Sequence, residues 1–97
     1  MIRGTTPTLT LTLSNELDFE SYFVTFKQEG FTVIEKTEET STREGAVITV
    51  QLTQEDTLRL KDGIAVEIQV RGKIGENAYA TKIKKIYPEA ILKEGAI

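Results

Sequence analysis

The sequence predicts an all-β protein, an antiparallel immunoglobulin-like β-sandwich of about six to seven strands with one short helical turn near residues 54–60. Three observations carry this. Thr8-Leu9-Thr10-Leu11-Thr12-Leu13 alternates polar and apolar residues without a break, and successive strand side chains point to opposite faces, so the leucines share one face and the threonines the other. Further alternating runs recur at short spacing, divided by glycine-containing turns. No helical period separates them, so the βαβ rhythm of a parallel sheet is missing. A small barrel is the alternative closure.

The elements follow in order. Leu9, Leu11 and Leu13 form the inward face of the first strand. Ser14-Asn15 and the acidic stretch Glu16–Glu20 interrupt the pattern as one helical turn. Ser21–Gln28 resumes it, with Tyr22, Val24 and Phe26 in one phase and Phe23, Thr25 and Lys27 in the other. Glu29-Gly30 is a tight turn, because glycine supplies the positive φ a two-residue hairpin requires, and Phe31–Thr37 is the returning strand. Residues 38–45 are wholly polar and read as a loop or weak edge segment. Ala46–Leu52 is a strand with Ala46, Ile48, Val50 and Leu52 inward. Thr53 caps a short helix whose first turn carries Glu55 and Asp56, where the helix dipole favours acids. Leu58 and Leu60 pack it on the core, and Asp62-Gly63 ends it.

Ile64–Arg71 is the most regular strand, with Ile64, Val66, Ile68 and Val70 alternating against polar neighbours. Lys73–Asn77 is a turn, and Ala78–Ile86 is the antiparallel partner. Tyr79, Thr81 and Ile83 share one face while Ile86 falls on the other, which places a bulge near Lys84-Lys85. Pro88 ends pairing or confines it to an edge.

A chain of 97 residues forms one domain, 1–97, with candidate interaction arms at 1–7 and 88–97. Cysteine is absent, so neither a disulfide nor a thiolate metal site supports the fold. Histidine is absent too. The usual general base near neutral pH, the commonest transition-metal ligand and the most reactive nucleophile are therefore missing, and no enzyme activity is expected. No glycine motif has the strand–loop–helix setting of a phosphate site, and no acidic run has the spacing of a calcium loop. No catalytic residue, metal, cofactor or small-molecule substrate is expected. A net charge of −3 speaks against nucleic acid as a partner, and no apolar run approaches the ~18 residues of a membrane span. The opening residues have no charged and apolar regions of a leader, so no signal peptide is expected.

Charge is unevenly placed. Residues 16–44 hold eight acids against three bases, whereas residues 73–93 hold five lysines against Glu76 and Glu89. Such a chain either carries two ordinary solvated surfaces or is dipolar, its acidic side docking on the basic side of a neighbour. The tail supplies Ile91, Leu92 and Ile97 either to a last strand of its own sandwich or to an arm that pairs with a neighbour's edge strand; Arg3 and the segment Ile2–Pro7 admit the same two readings. Phe23, Tyr79 and Arg71 make a contact patch if they share a surface, since aromatics and arginine are enriched at interfaces.

The opening Met1-Ile2-Arg3-Gly4-Thr5-Thr6-Pro7-Thr8, the stretches Val50–Leu58, Val66–Arg71 and Ala78–Thr81, and the closing Ile91-Leu92-Lys93-Glu94-Gly95 resemble small structural proteins of tailed phages and prophages of Gram-positive bacteria. The opening is also similar to the N-terminal β-sandwich domain of phage baseplate upper proteins. The resemblance implies a non-enzymatic tail or baseplate subunit, a virion component made in the bacterial cytoplasm, whose partners are itself or other phage structural proteins. The chain departs from the baseplate proteins in having no coiled coil or receptor-binding domain after Ile97, so an adaptor or decoration role fits better than host recognition. The alternatives are a small ligand-binding sandwich, for instance for carbohydrate, and a phage-encoded inhibitor of a host protein.

Overall fold

The computed structural model describes residues 1–14 and 17–97. Its strands are β1 (Thr8–Thr12), β2 (Ser21–Gln28), β3 (Phe31–Thr37), β4 (Thr42–Glu44), β5 (Val47–Gln51), β6 (Val66–Ile74), β7 (Asn77–Ala80) and β8 (Lys84–Ile86), with helix α1 (Gln54–Leu58) between β5 and β6. They form two antiparallel sheets, one ordered β1-β5-β4 and the other β3-β2-β6-β7 with β8 also on β6. The sheets pack face to face as an all-β sandwich, as the alternation predicts.

The inward phases are those read from the sequence. Leu13, Ile48, Val50 and Leu52 from the first sheet meet Tyr22, Val24, Phe26, Ile34, Val66, Ile68 and Val70 from the second. Leu9 and Leu11 are half-buried at the margin. The Glu29-Gly30 turn has φ of 51° and 83°, the left-handed pair of a hairpin whose twist matches its strands. Opposite Phe26 and Lys27 the register slips by one residue, leaving Val33 as a bulge in β3.

Several boundaries differ from expectation. Asn15 and part of the expected helical turn, Glu16, lie outside the described residues; residues 17–20 form no helix, and Phe19 there is completely buried. The polar stretch 38–45 contains the short edge strand β4. Strand β6 runs on through Gly72 to Ile74, so the turn narrows from Lys73–Asn77 to Gly75-Glu76. The partner strand is split. Residues 81–83 interrupt it, and the register against β6 changes by one residue across the break. Thr81 anchors that bulge: its N–H donates to the Val70 carbonyl at 2.9 Å and its hydroxyl accepts the Val70 N–H at 3.0 Å. The irregularity predicted from the phase of Ile86 therefore exists, but precedes Lys84-Lys85.

Helix α1 carries a complete capping box, with Thr53 and Asp56 each bonding the other's backbone N–H. Its exit loop is fixed by Gln28, a buried polar residue on β2. The Gln28 amide donates to the carbonyls of Lys61 (2.8 Å) and Ile64 (3.1 Å) and accepts the Lys61 N–H (2.8 Å). Gln28→Ala leaves those three groups without partners, and is expected to cost about 2–3 kcal/mol in urea unfolding; an unchanged midpoint would show that water replaces the amide.

Candidate protein-docking surface

One face of the five-strand sheet is covered by the core and the other is open, the usual arrangement for an antiparallel sheet. Register places its outward side chains in rows. Thr37, Phe23, Arg71 and Ala80 line up across β3, β2, β6 and β7. Lys27, Glu67 and Lys85 line up across β2, β6 and β8, so one acid lies between two bases. Thr25 and Gln69 lie between these rows. Ile83, in the break between β7 and β8, borders a groove of about 420 Å³ with Lys27, Glu67, Gln69 and Arg71. Phe23 is 51% exposed and Ile83 54%. A second hollow of about 180 Å³ has Phe23, Arg71, Lys73 and Ala78 along its sides.

The predicted contact residues are divided by the fold. Phe23 and Arg71 are direct cross-strand partners on the open face. Tyr79 pairs with Gly72, which is in phase with the buried Val66, Ile68 and Val70, so its ring leaves from the opposite face and does not join the patch. Arg3 is engaged within its own chain. Its guanidinium donates to the carbonyls of Leu60 (2.6 Å) and Leu58 (2.9 Å) and pairs with Glu94 at 3.2 Å, satisfying carbonyls at the end of α1. The rest of the N-terminal segment is tied down by Thr57, which donates to the Thr5 carbonyl, and by the Leu52 N–H bonded to Pro7.

The tail forms no last strand. A single parallel bridge joins Ile2 to Glu89, and Pro88, which has no N–H for a ladder, instead accepts from Gly63. Ile91 is half-buried, its Cδ1 lying 2.9 Å from where a Cβ on Gly4 would stand. Leu92 and Ile97 are fully or almost fully exposed. The Gln54 amide nevertheless grips the Ile97 backbone, accepting its N–H at 2.7 Å and donating to its carbonyl at 3.0 Å.

No group of acids that could hold a metal occurs among the described residues, and no helix of the described residues is long and apolar enough to cross a membrane. Among the described residues one carboxyl is perturbed. Burial pushes Asp56 up, but the Thr53 backbone N–H, the Lys36 ammonium at 2.9 Å and the Thr53 side chain together hold it below its ordinary value. That group caps helix α1 inside the fold.

No family model, curated protein or solved structure matches the chain.

Proposed function

We infer that the protein is a non-enzymatic subunit that works through protein–protein contacts, presenting the outer face of its five-strand sheet to copies of itself or to other structural proteins of a phage tail or baseplate. The observation that supports this is half-exposed Phe23 as the cross-strand partner of Arg71, with half-exposed Ile83 bordering a groove beside the same Arg71, on a face whose backbone is fixed by strand ladders on both sides of β2 and β6. Aromatic and aliphatic anchors around an arginine are the composition of an interface centre, and a rigid face loses little entropy on docking. The Lys27–Glu67–Lys85 row gives the face a charge pattern that registers a partner without strong net attraction. The phage setting comes from the sequence resemblance and makes the protein a virion component synthesised in the bacterial cytoplasm.

Light-scattering chromatography tests the self-association arm. The wild-type chain is expected to run above the mass of one chain, and Phe23→Ser is expected to return it to monomer through the loss of about 2 kcal/mol of interface energy. Truncation after Pro88 is expected to leave the oligomer intact, since Leu92 and Ile97 lie outside the patch. A wild-type monomer at all concentrations would remove self-association as the activity, and an oligomer lost only on truncation would move the interface to the tail.

A further inference from the structure

The two sheets differ in width. The larger is four places wide, with β7 and β8 end to end in the place beyond β6, while the smaller has three strands and ends at β1. Side chains on the core side of that fourth place are left uncovered. Tyr79 opposes buried Gly72 yet is 42% exposed, Lys84 opposes buried Ile68 yet is exposed, and Ile86, opposite Val66, is only half-buried. A groove of about 160 Å³ runs there, between β1 and Ile68, Val70, Thr81, Lys82 and Lys84.

The β1 edge along this groove has backbone groups to offer. The Leu13 N–H bonds the Ala46 carbonyl and the Leu52 N–H bonds the Pro7 carbonyl, so the odd-numbered residues of this segment exchange bonds with β5. By antiparallel alternation, the N–H and C=O groups of Thr8, Thr10 and Thr12 point the other way, out of the sheet. A strand added at the usual spacing of ~4.8 Å would satisfy them and cover the exposed core side of β7 and β8.

Charge selects the occupant. Lys82 and Lys84 border the groove, and among the described residues neither is paired with an acid. Two β1 edges meeting around a twofold axis would bring four lysines to one seam, so a second copy of the same edge is disfavoured; lysines beside an open edge commonly serve that end. An acidic strand meets the opposite situation. We propose that the β1 edge accepts an extended acidic segment of a partner protein as a fourth strand, whose core-facing row (every second residue) carries both apolar side chains toward Ile68 and Val70 and carboxylates toward Lys82 and Lys84.

The proposal rests on action through protein contacts but uses a surface separate from the Phe23 face. The probe is a blocked, labelled peptide whose every second residue is in turn valine or glutamate, with threonine between, so that one face carries both; it is titrated against the full chain by fluorescence anisotropy, with a peptide bearing lysine in place of glutamate as control. The acidic peptide is expected to bind and the basic one not, with affinity falling as salt rises. Thr10→Pro removes an outward N–H while sparing the β5 ladder, and is expected to weaken binding about tenfold or more with little change in melting temperature. The paired change Lys82→Glu and Lys84→Glu, which does not touch the β1 backbone, is expected to invert the preference between peptides. Phe23→Ser is expected to leave peptide affinity unchanged, so failure here and failure of the outer-face interface are separately visible. Absence of acidic-peptide binding, equal binding of both peptides, or indifference to both β1 and lysine variants would overturn the proposal. So would a wild-type oligomer abolished by Thr10→Pro, which would assign the edge to a second copy.

Discussion

Gly72→Ala is expected to destabilise the protein by about 3 kcal/mol, near the upper end of what one added methyl costs in a packed interior. A Cβ at this position would stand 2.6 Å from the Ser21 carbonyl oxygen and 2.7 Å from Cγ of Phe19. Neither neighbour can retreat cheaply. The Ser21 oxygen belongs to the β2 backbone where Ser21 pairs with Lys73, and the Phe19 ring is completely buried. Glycine is required here for close approach rather than for a special dihedral, since its φ is not in the left-handed range. Phe19 takes the volume that a side chain at residue 72 would otherwise fill. Phe19→Ala should therefore cost ~3–5 kcal/mol by opening a cavity against the same backbone. In a Phe19→Ala background the added methyl of Gly72→Ala should be partly relieved, because the ring contact is gone while the carbonyl contact remains. Urea unfolding of the single and double variants measures this as a coupling energy. A Gly72→Ala midpoint equal to wild type would mean that β2 and β6 separate locally without loss.

What could be read from the chain beforehand depends on whether burial leaves a period. Strands β2 and β3 have the expected bounds, Ser21–Gln28 and Phe31–Thr37, because each alternates and Glu29-Gly30 divides them. Thr53 was legible as a cap because a hydroxyl beside an acidic first turn is a local signal. Phe19 was not, since one aromatic in an acidic, aperiodic stretch gives no face to assign. Gln28 was equally hidden: its burial is made possible by three bonds to a loop more than thirty residues away, and hydropathy scores the residue without its partners. Whether Tyr79 shares a surface with Phe23 and Arg71 stays open in the sequence, because its phase depends on register. A turn drawn at Lys73–Asn77 leaves that register open, whereas Gly75-Glu76 fixes Tyr79 opposite Gly72. Arg3 stays open between its own sandwich and a contact arm, because nothing near it in sequence reveals the carbonyls of Leu58 and Leu60 that it serves. The outer patch was half-legible. Phe23 and Arg71 were identifiable by phase, but Ile83 joins them only because the strand breaks at 81–83, which no alternation encodes.

Asp56→Ala is expected to be the most damaging polar substitution in the chain, at about 3–5 kcal/mol. The carboxylate performs three tasks at once. It accepts the Thr53 N–H to complete the capping box, it pairs with Arg59 at 2.7 Å, and it pairs with Lys36 at 2.9 Å. The Arg59 contact is exposed on one side and contributes little. The Lys36 contact is different, because Lys36 on β3 opposes the fully buried Val24 of β2, and the Lys36 and Asp56 side chains are both largely shielded from water. Removing the acid strands that ammonium beside the core, and its desolvation is then unopposed. The same arrangement sets a pH dependence. Since the carboxyl is held below its ordinary value, the stability it contributes is present at neutral pH and is lost as pH falls through the lowered folded value. Asp56→Asn keeps an acceptor for the cap but not the charge. The stability gap between wild type and Asp56→Asn, followed by thermal unfolding from neutral pH downward, should be widest near neutrality and close once the wild-type carboxyl is protonated. A gap that stays constant into that acidic range would show that the cap alone, and not the pairing with Lys36, holds α1 against β3.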